Sequence, residues 1–414
     1  MQNKNLDHLF RHHYGKMVAI LVRIFGISHL EIIEDALQDT FIKAITAWRK
    51  QLPDNPEAWL TKAAKNRVLD LLKQIKTSKN RNYLIQSNAE AMAITELFLD
   101  SEVEDSQLRM IFTACHPKLT ITDQIIFALK TLSGFSINEI ATALLLKNET
   151  VKKRFTRARK TISTQQLSFQ IPSGKELTAR LDNVTNVIYL IFNEGFHSNS
   201  KTFLIRKDLC GEALRLCQLL LKKEYLRTSN LYALFSLICL HTARLESKLL
   251  ANEIIDIKNQ DRNLWYQPLI KLGQSALVKA YEANKISRFH LEASIANYHI
   301  IATSFNETNW TKILKLNKKL YKIQPSPVIA LNISLVYLQL SAYENALKVL
   351  NKLSIHDFKQ RSYLFYGTWA EYYIATSDFR KAIDYLENAI TEVTNELEKN
   401  YLIKKKDSLL AKIV

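Results

Sequence analysis

Two short stretches of the chain are dense in groups that could neutralise phosphates. Seven basic residues and one acid, Asp70, lie between Lys62 and Arg81, and seven basic residues and one acid, Glu149, between Lys147 and Lys160. Between these stretches, Glu90 to Asp105 holds six acids and no base. Lysine and arginine at this density are the chemistry of polyanion binding, because each can pair with a phosphate and release its counterion. The formal net charge of the whole chain, +17, points the same way, although a lysine-rich composition alone would also produce it. The local order favours a polyanion partner, since compositional drift would not alternate basic, acidic and basic so sharply.

Other chemistry is sparse. No His-Glu-x-x-His, Gly-rich phosphate loop or Gly-x-Ser-x-Gly occurs, so no catalytic residues, cofactor or enzymatic activity are expected. His12 and His13 are adjacent on a helix, point in different directions and make a poor metal pair, and no metal site is expected. Asn193-Glu194-Gly195 with His197 could form a site, but a helix end capped by Gly195 accounts for it better. The four cysteines, Cys115, Cys210, Cys217 and Cys239, have no Cys-x-x-Cys spacing and read as reduced, mostly buried thiols. Met1 to Phe10 lacks an apolar signal core. The longest apolar run, Leu231 to Leu240, is about half of a membrane span. A soluble cytoplasmic protein with no membrane partner is expected.

These residues must be positioned by helices. With 8 Gly and 7 Pro in 414 residues, the chain cannot supply the turns of an antiparallel β architecture, and an all-α fold of two or three domains follows. The spacing predicts a helix from about Leu6 to Phe25, stopped at Gly26, and another from Ser28 to Lys50 with Ile32, Ile33, Ala36, Leu37, Phe41, Ala44 and Trp48 inward. Asn55 and Pro56 are suited to the cap and first position of a third helix, Glu57 to Lys76. It turns Trp59, Leu60, Ala63, Val68, Leu71 and Leu72 inward and leaves Lys62, Lys65, Asn66, Arg67 and Lys73 outside. Trp48 and Trp59 sit on apolar stripes and read as core rather than as stacking platforms.

These elements divide the chain into a helical domain at 1–76, an acidic linker at 77–104, a second helical domain at 105–165 and a helical extension at 175–414. The linker is expected to hold no more than a turn of helix. In the extension, Tyr337, Tyr343 and Ala346 recur as Tyr373, Phe379 and Ala382, a constant shift of 36 residues. This is close to the period of tetratricopeptide repeats, whose helix pairs bury their faces by stacking; two ordinary amphipathic hairpins are the competing account.

Ser136 to Ile162 has a helix-turn-helix layout, in which the second helix enters the major groove. Ser136 caps a first helix with Ile137, Ile140, Ala141 and Leu144 on one stripe. The second carries Thr150, Lys152, Lys153, Arg154, Thr156, Arg157, Arg159 and Lys160 around an apolar line of Val151, Phe155, Ala158 and Ile162. Its basic residues suit phosphates, and those near its start can reach base edges. The usual turn glycine is Leu145 here, and the usual small capping residue is Lys147. A solvated basic face on a structural helix remains the alternative.

The N-terminal portion resembles the extracytoplasmic-function group of the sigma-70 family. Ile33-Glu34-Asp35-Ala36-Leu37-Gln38-Asp39-Thr40-Phe41, Pro56-Glu57-Ala58-Trp59-Leu60 and Lys65-Asn66-Arg67-Val68-Leu69-Asp70 are similar to region 2. Ile140-Ala141, Thr150-Val151-Lys152-Lys153-Arg154 and Arg157-Ala158-Arg159 are similar to region 4. Leu108 to Pro117, Tyr189 to Phe196 and Gln324 to Asn332 resemble a subgroup with a long helical, tetratricopeptide-like C-terminal extension, in which an apolar residue typically replaces the turn glycine.

The resemblance implies core RNA polymerase, through its β′ clamp helices and β flap, and promoter DNA as partners. Asp35, Gln38 and Asp39 would meet the clamp helices. Lys62, Lys65, Asn66 and Arg67 would face the −10 element, with Gln51 and Asn55 in the loop that holds an unstacked base. Thr150, Lys152, Lys153, Arg154, Arg157 and Arg159 would take the −35 element. The extension would regulate the sigma module and could bind a protein or peptide. A one-component helix-turn-helix regulator with a helical sensor is the alternative, but it leaves Glu31 to Asp70 unexplained.

Overall fold

A computed structural model describes residues 2–48, 53–77, 100–197, 205–250 and 253–412. The chain divides into two compact units, Met1–Leu190 and Ile191–Val414. Helices dominate both, and among the described residues the only strands are the two-residue pair β1 (Leu249–Leu250) and β2 (Glu253–Ile254). Most of the expected linker, residues 78–99, lies outside the described residues.

The first unit begins with α1 (Gln2–Phe25), α2 (Leu30–Trp48) and α3 (Pro56–Thr77). Gly26, at φ 89°, stops α1, a left-handed conformation that glycine adopts without steric cost. Asn55 accepts a hydrogen bond from the Ala58 amide at 3.0 Å, capping α3 with Pro56 as its first residue. Leu30, Ile33, Ala36, Leu37, Ala44 and Trp48 of α2 pack inward with Leu60, Ala64 and Val68 of α3. Ala64 takes the fully buried place expected for Ala63, which is half-buried. Trp48 is buried edge-on against the half-buried Trp59, ring centroids 5.6 Å apart.

The unit continues with α4 (Asp100–Ala114), α5 (Ile121–Thr131), α6 (Ile137–Ala143) and α7 (Asn148–Thr164), followed by the first turns of α8 (Gly174–Phe196). Arg180 of α8 donates to the Phe112 carbonyl at 2.5 Å, and Asn183 donates to the Cys115 carbonyl at 2.6 Å. These bonds satisfy the carbonyls freed where α4 ends.

The second unit runs through α9 (Lys207–Leu221), α10 (Ser229–Thr242), α11 (Leu245–Lys248), the strand pair, α12 (Gln267–Ala280), α13 (Arg288–Ile301) and α14 (Trp310–Ile323). It ends with α15 (Pro327–Gln339), α16 (Tyr343–Leu350), α17 (Ser362–Ala375), α18 (Phe379–Glu392) and α19 (Glu396–Leu410). The 36-residue shift is visible in the backbone: Tyr343 and Phe379 open α16 and α18, and Ala346 and Ala382 are fully buried beneath them. Ser341 and Ser377 both turn at positive φ, 55° and 62°, and the next amides close onto the Tyr337 and Tyr373 carbonyls. All four cysteines are free and buried.

Gly195 does not cap a helix end. It lies inside α8, whose backbone passes so close to α9 that a Cβ would stand 2.8 Å from Leu209 Cβ and 2.9 Å from the Cys210 amide nitrogen. The glycine serves close packing there rather than a turn.

Candidate nucleic-acid interface

The helix-turn-helix begins with a reciprocal cap. The Glu139 amide donates to Ser136 Oγ at 3.2 Å, and the Ser136 amide donates to the Glu139 carboxylate at 2.8 Å. Leu145 makes the turn at φ 51°, where a side chain costs about 1–2 kcal/mol. Lys147 stands at the cap position of α7 without a side-chain capping bond. Val151, Phe155, Ala158 and Ile162 bury one face of α7, with the Phe155 ring 5.5 Å from Phe127. Lys152, Lys153, Thr156, Arg157 and Lys160 are left exposed as a basic strip.

Several arginines of α7 already hold partners. Asp123 of α5 is buried and accepts from Arg154 at 3.0 Å and Arg157 at 2.6 Å. Burial works to raise its pKa, but hydrogen bonds from Arg157, Thr120 and Arg154 outweigh it and hold the carboxyl below the usual carboxylate range. Arg157 is still more than half exposed and keeps donors toward solvent. Arg159 reaches across to α2, 3.0 Å from Glu31 and 3.9 Å from Glu34.

Glu34 is the buried centre of this contact. Tyr14 of α1 donates to it at 3.2 Å, and Lys130 of α5 lies 3.8 Å away. Burial pushes the Glu34 carboxyl up, against the pull of Lys130, Arg159 and Tyr14. Beside it, Gly15 of α1 meets the Leu132 backbone so closely that a methyl group would overlap the Leu132 carbonyl oxygen. Helices α1, α2, α5 and α7 are thus clasped together, with Arg159 of α7 in the clasp.

On the outer side of α2, Asp35 and Gln38 are exposed, whereas Asp39 pairs with Arg67 of α3 through both Nε and Nη2 at 2.7 Å. A residue expected to face core polymerase is therefore joined to one expected to face DNA. Lys62 and Asn66 are exposed and Lys65 is half-buried. Gln51 lies outside the described residues. Ile42, 63% exposed, and Ile45 continue the Asp35-Gln38 face as an apolar patch outside the residues expected to function there. The signal was present, since neither isoleucine belongs to the stripe of Ala36, Leu37, Ala44 and Trp48.

Among the described residues, no group of three or more His, Cys, Asp and Glu could hold a metal ion. None of their helices is long and apolar enough to cross a membrane.

Comparison with known proteins gives three family matches in chain order. Residues 9–77 match sigma-70 region 2, residues 109–162 match sigma-70 region 4, and residues 180–281 match a family of unknown function, DUF6596. An uncharacterized protein of Rhizobium meliloti (strain 1021) is 29% identical over 414 residues, covering 95% of this chain and 93% of its own length. No solved structure matches.

Proposed function

We propose that this chain, which belongs to the sigma-70 family with the layout of its extracytoplasmic-function group, carries core RNA polymerase to promoters and initiates transcription there. The observation that carries this reading is the pair of surfaces held by one unit. One is the Asp35-Gln38-Ile42 face of α2, with charge at its edge and apolar area within, a composition suited to a protein interface. The other is the strip of Lys152, Lys153, Thr156, Arg157 and Lys160 on the second helix of a helix-turn-helix, suited to the −35 element. By the resemblance to region 2, Lys62, Lys65, Asn66 and Arg67 would take the −10 element.

The clasp bears on how this activity is controlled. Arg159 would meet DNA only on leaving Glu31 and Glu34, so we read the arrangement as a closed one that competes with full engagement of the −35 element, while the exposed strip stays available. We assign the bias on the opening of this arrangement to the helical extension. Its family match carries no assigned role, and the regulation is our reading.

Run-off transcription tests the proposal, with purified core polymerase and a promoter library from the source genome. Specific start sites that appear only when the protein is added are the expected result. Duplex binding without recruitment of core polymerase would replace the proposal with a one-component regulator. Removing residues beyond 175 tests the extension separately, and unchanged promoter output and polymerase affinity would refute its regulatory role.

A further inference from the structure

The second unit gathers positive charge in its interior, and Glu398, beside Lys248, is the one acid that acts on it among the described residues. Arg244, at the start of α11, is buried, and Lys248, Arg262, His241 and His299 around it are half-buried. Two aromatic rings organise them. The guanidinium carbons of Arg244 and Arg262 lie 5.4 and 4.5 Å from the centre of the buried Trp265 ring. Lys248 Nζ lies 3.9 Å from the centre of the Phe196 ring, and the His241 ring lies 4.7 Å from the same centre. Arg262 Nη1 donates to the carbonyls of His299 and Ala302, both at 2.8 Å, which brings His299 into the group.

The acids nearest in sequence are used elsewhere. Glu246 pairs with Lys207, Glu253 pairs with Lys404, Asp256 accepts from Tyr401 and the Asn259 amide, and Asp261 caps the Asn263 amide. Among the described residues, no carboxylate forms an ion pair within 4.0 Å of Arg244, Lys248 or Arg262; Glu398, which accepts from Tyr363 at 3.1 Å, acts on Lys248 from beyond that distance and leaves the two arginines without an acid. Three buried nitrogens also lack a hydrogen-bond partner: Arg262 Nη2, His241 Nδ1 and His299 Nδ1. Buried donors in native proteins are nearly always satisfied, and buried cations are nearly always paired.

The physical consequence of this crowding is consistent. Burial, and then the neighbouring Arg262 charge, bring Arg244 down to about 10; burial together with the Arg244 charge brings Lys248 down to about 8, against the opposing pull of Cys210 and Glu398. Burial and the charges of Arg244 and Arg262 bring His299 down to about 4, leaving it a neutral ring with one N–H to give. The tuned electrostatics have no catalytic use in this unit, which makes a ligand the economical explanation.

We infer that Arg244, Lys248, Arg262, His241 and His299 form a binding site for a small oxyanion of the phosphate type, free or as a phosphomonoester. Each cation keeps donors to spare. Arg244 uses Nε on Gln260 at 3.4 Å, Lys248 uses one proton on the Phe196 carbonyl at 2.9 Å, and Arg262 uses Nη1 and leaves Nη2. A tetrahedral dianion accepts many donors from several directions, whereas chloride or a single carboxylate would leave most of them unused. Three of the five residues, Arg244, Lys248 and Arg262, lie on the segment around Trp265, and His241 closes the preceding helix. Occupancy would therefore tie α10, α11 and α13 together. The inference stands on these residues alone and does not depend on the promoter-binding reading.

The test is thermal unfolding and calorimetric titration of the full chain with inorganic phosphate, against chloride at matched ionic strength, with glycerol 3-phosphate as a second arm. Saturable heat and a rise in Tm specific to phosphate are expected. Tighter binding in the second arm would identify a phosphomonoester as the ligand class, and weaker binding would identify the free anion. Lys248→Met and His299→Gln, both at half-buried positions, should each weaken binding at least tenfold. Lys248→Met should keep or raise the ligand-free Tm, since it removes a repelled cation. Absence of a saturable phosphate response overturns the inference, and so does an equal response in both variants, which would mean an adventitious ion only.

Discussion

Two unrelated perturbations of the clasp should have the same effect on DNA binding. The first is the double variant Glu31→Gln, Glu34→Gln, which removes both carboxylates facing Arg159. The Glu31 pair is short but two-thirds exposed on the acid's side, a setting where an ion pair contributes about 0.5–1 kcal/mol. The Glu34 pairs, at 3.8 and 3.9 Å, are too long for strong hydrogen bonds. Burial also already favours a neutral group at Glu34. A glutamine there keeps an acceptor for Tyr14, so folding stability should change by less than about 1 kcal/mol. Loss of about 0.5–1 kcal/mol from the closed arrangement shifts the open population roughly 2–5-fold, and apparent Kd for duplex DNA should fall by a similar factor.

Added positive charge alone would tighten DNA binding somewhat, so Glu149→Gln, an exposed acid on α7 outside the clasp, is the control. Gly15→Ala is the second perturbation. It changes no charge and works by steric contact with Leu132. Fluorescence anisotropy with a duplex from the protein's own promoter, at fixed salt, reads all four proteins. The reasoning fails if the double variant binds no tighter than Glu149→Gln, or if Gly15→Ala retains its fold and binds like the parent chain.

Three further outcomes are expected. Asp123 has a folded-state pKa below its unfolded value, so its stabilisation is present above the usual carboxylate range and lost as pH falls through the depressed value; Asp123→Asn should flatten the acid limb of a Tm-against-pH curve. Lys152→Ala with Lys153→Ala should weaken duplex binding across sequences and reduce the slope of log K against log salt by about 2, as measured by titration at several salt concentrations. Ile42→Ser should weaken binding to core polymerase by about 1–2 kcal/mol with no change in Tm, since its side chain is exposed; surface-based binding kinetics would read both the loss and its absence.

The sequence carried the all-α fold, the two helical modules and the 36-residue repeat because each rests on local information. A cap at Asn55, a reciprocal cap at Ser136 and Glu139, and apolar spacing along α7 are all decided within a few residues. Even Leu145, a departure from the common turn glycine, leaves the motif intact, since one left-handed residue costs less than the packing of Phe155 on Phe127 and the burial of Val151, Ala158 and Ile162 returns. Gly195 misled for the same reason. A glycine near a polar break reads locally as a cap, while its actual cause is a neighbouring helix that begins a dozen residues later.

Contacts between distant segments were out of reach of that reasoning, and they change what the local motifs mean. Arg159 belongs to a basic strip in the sequence, yet more than 120 residues separate it from the Glu31 and Glu34 that hold it. Asp39 and Arg67 read as parts of different interfaces until their ion pair joins them. The basic cluster of the extension is more extreme: its five charged and imidazole side chains come from three helices and a loop, and none marks a motif by spacing. Only the fold brings Arg244 and Arg262 onto one indole. Charge counted along the chain therefore found the surfaces that meet solvent, and missed the two places where the protein holds cations against its own interior. Both places are where a change in pairing could alter how the chain behaves: the first by freeing Arg159 for DNA, the second by accepting an anion.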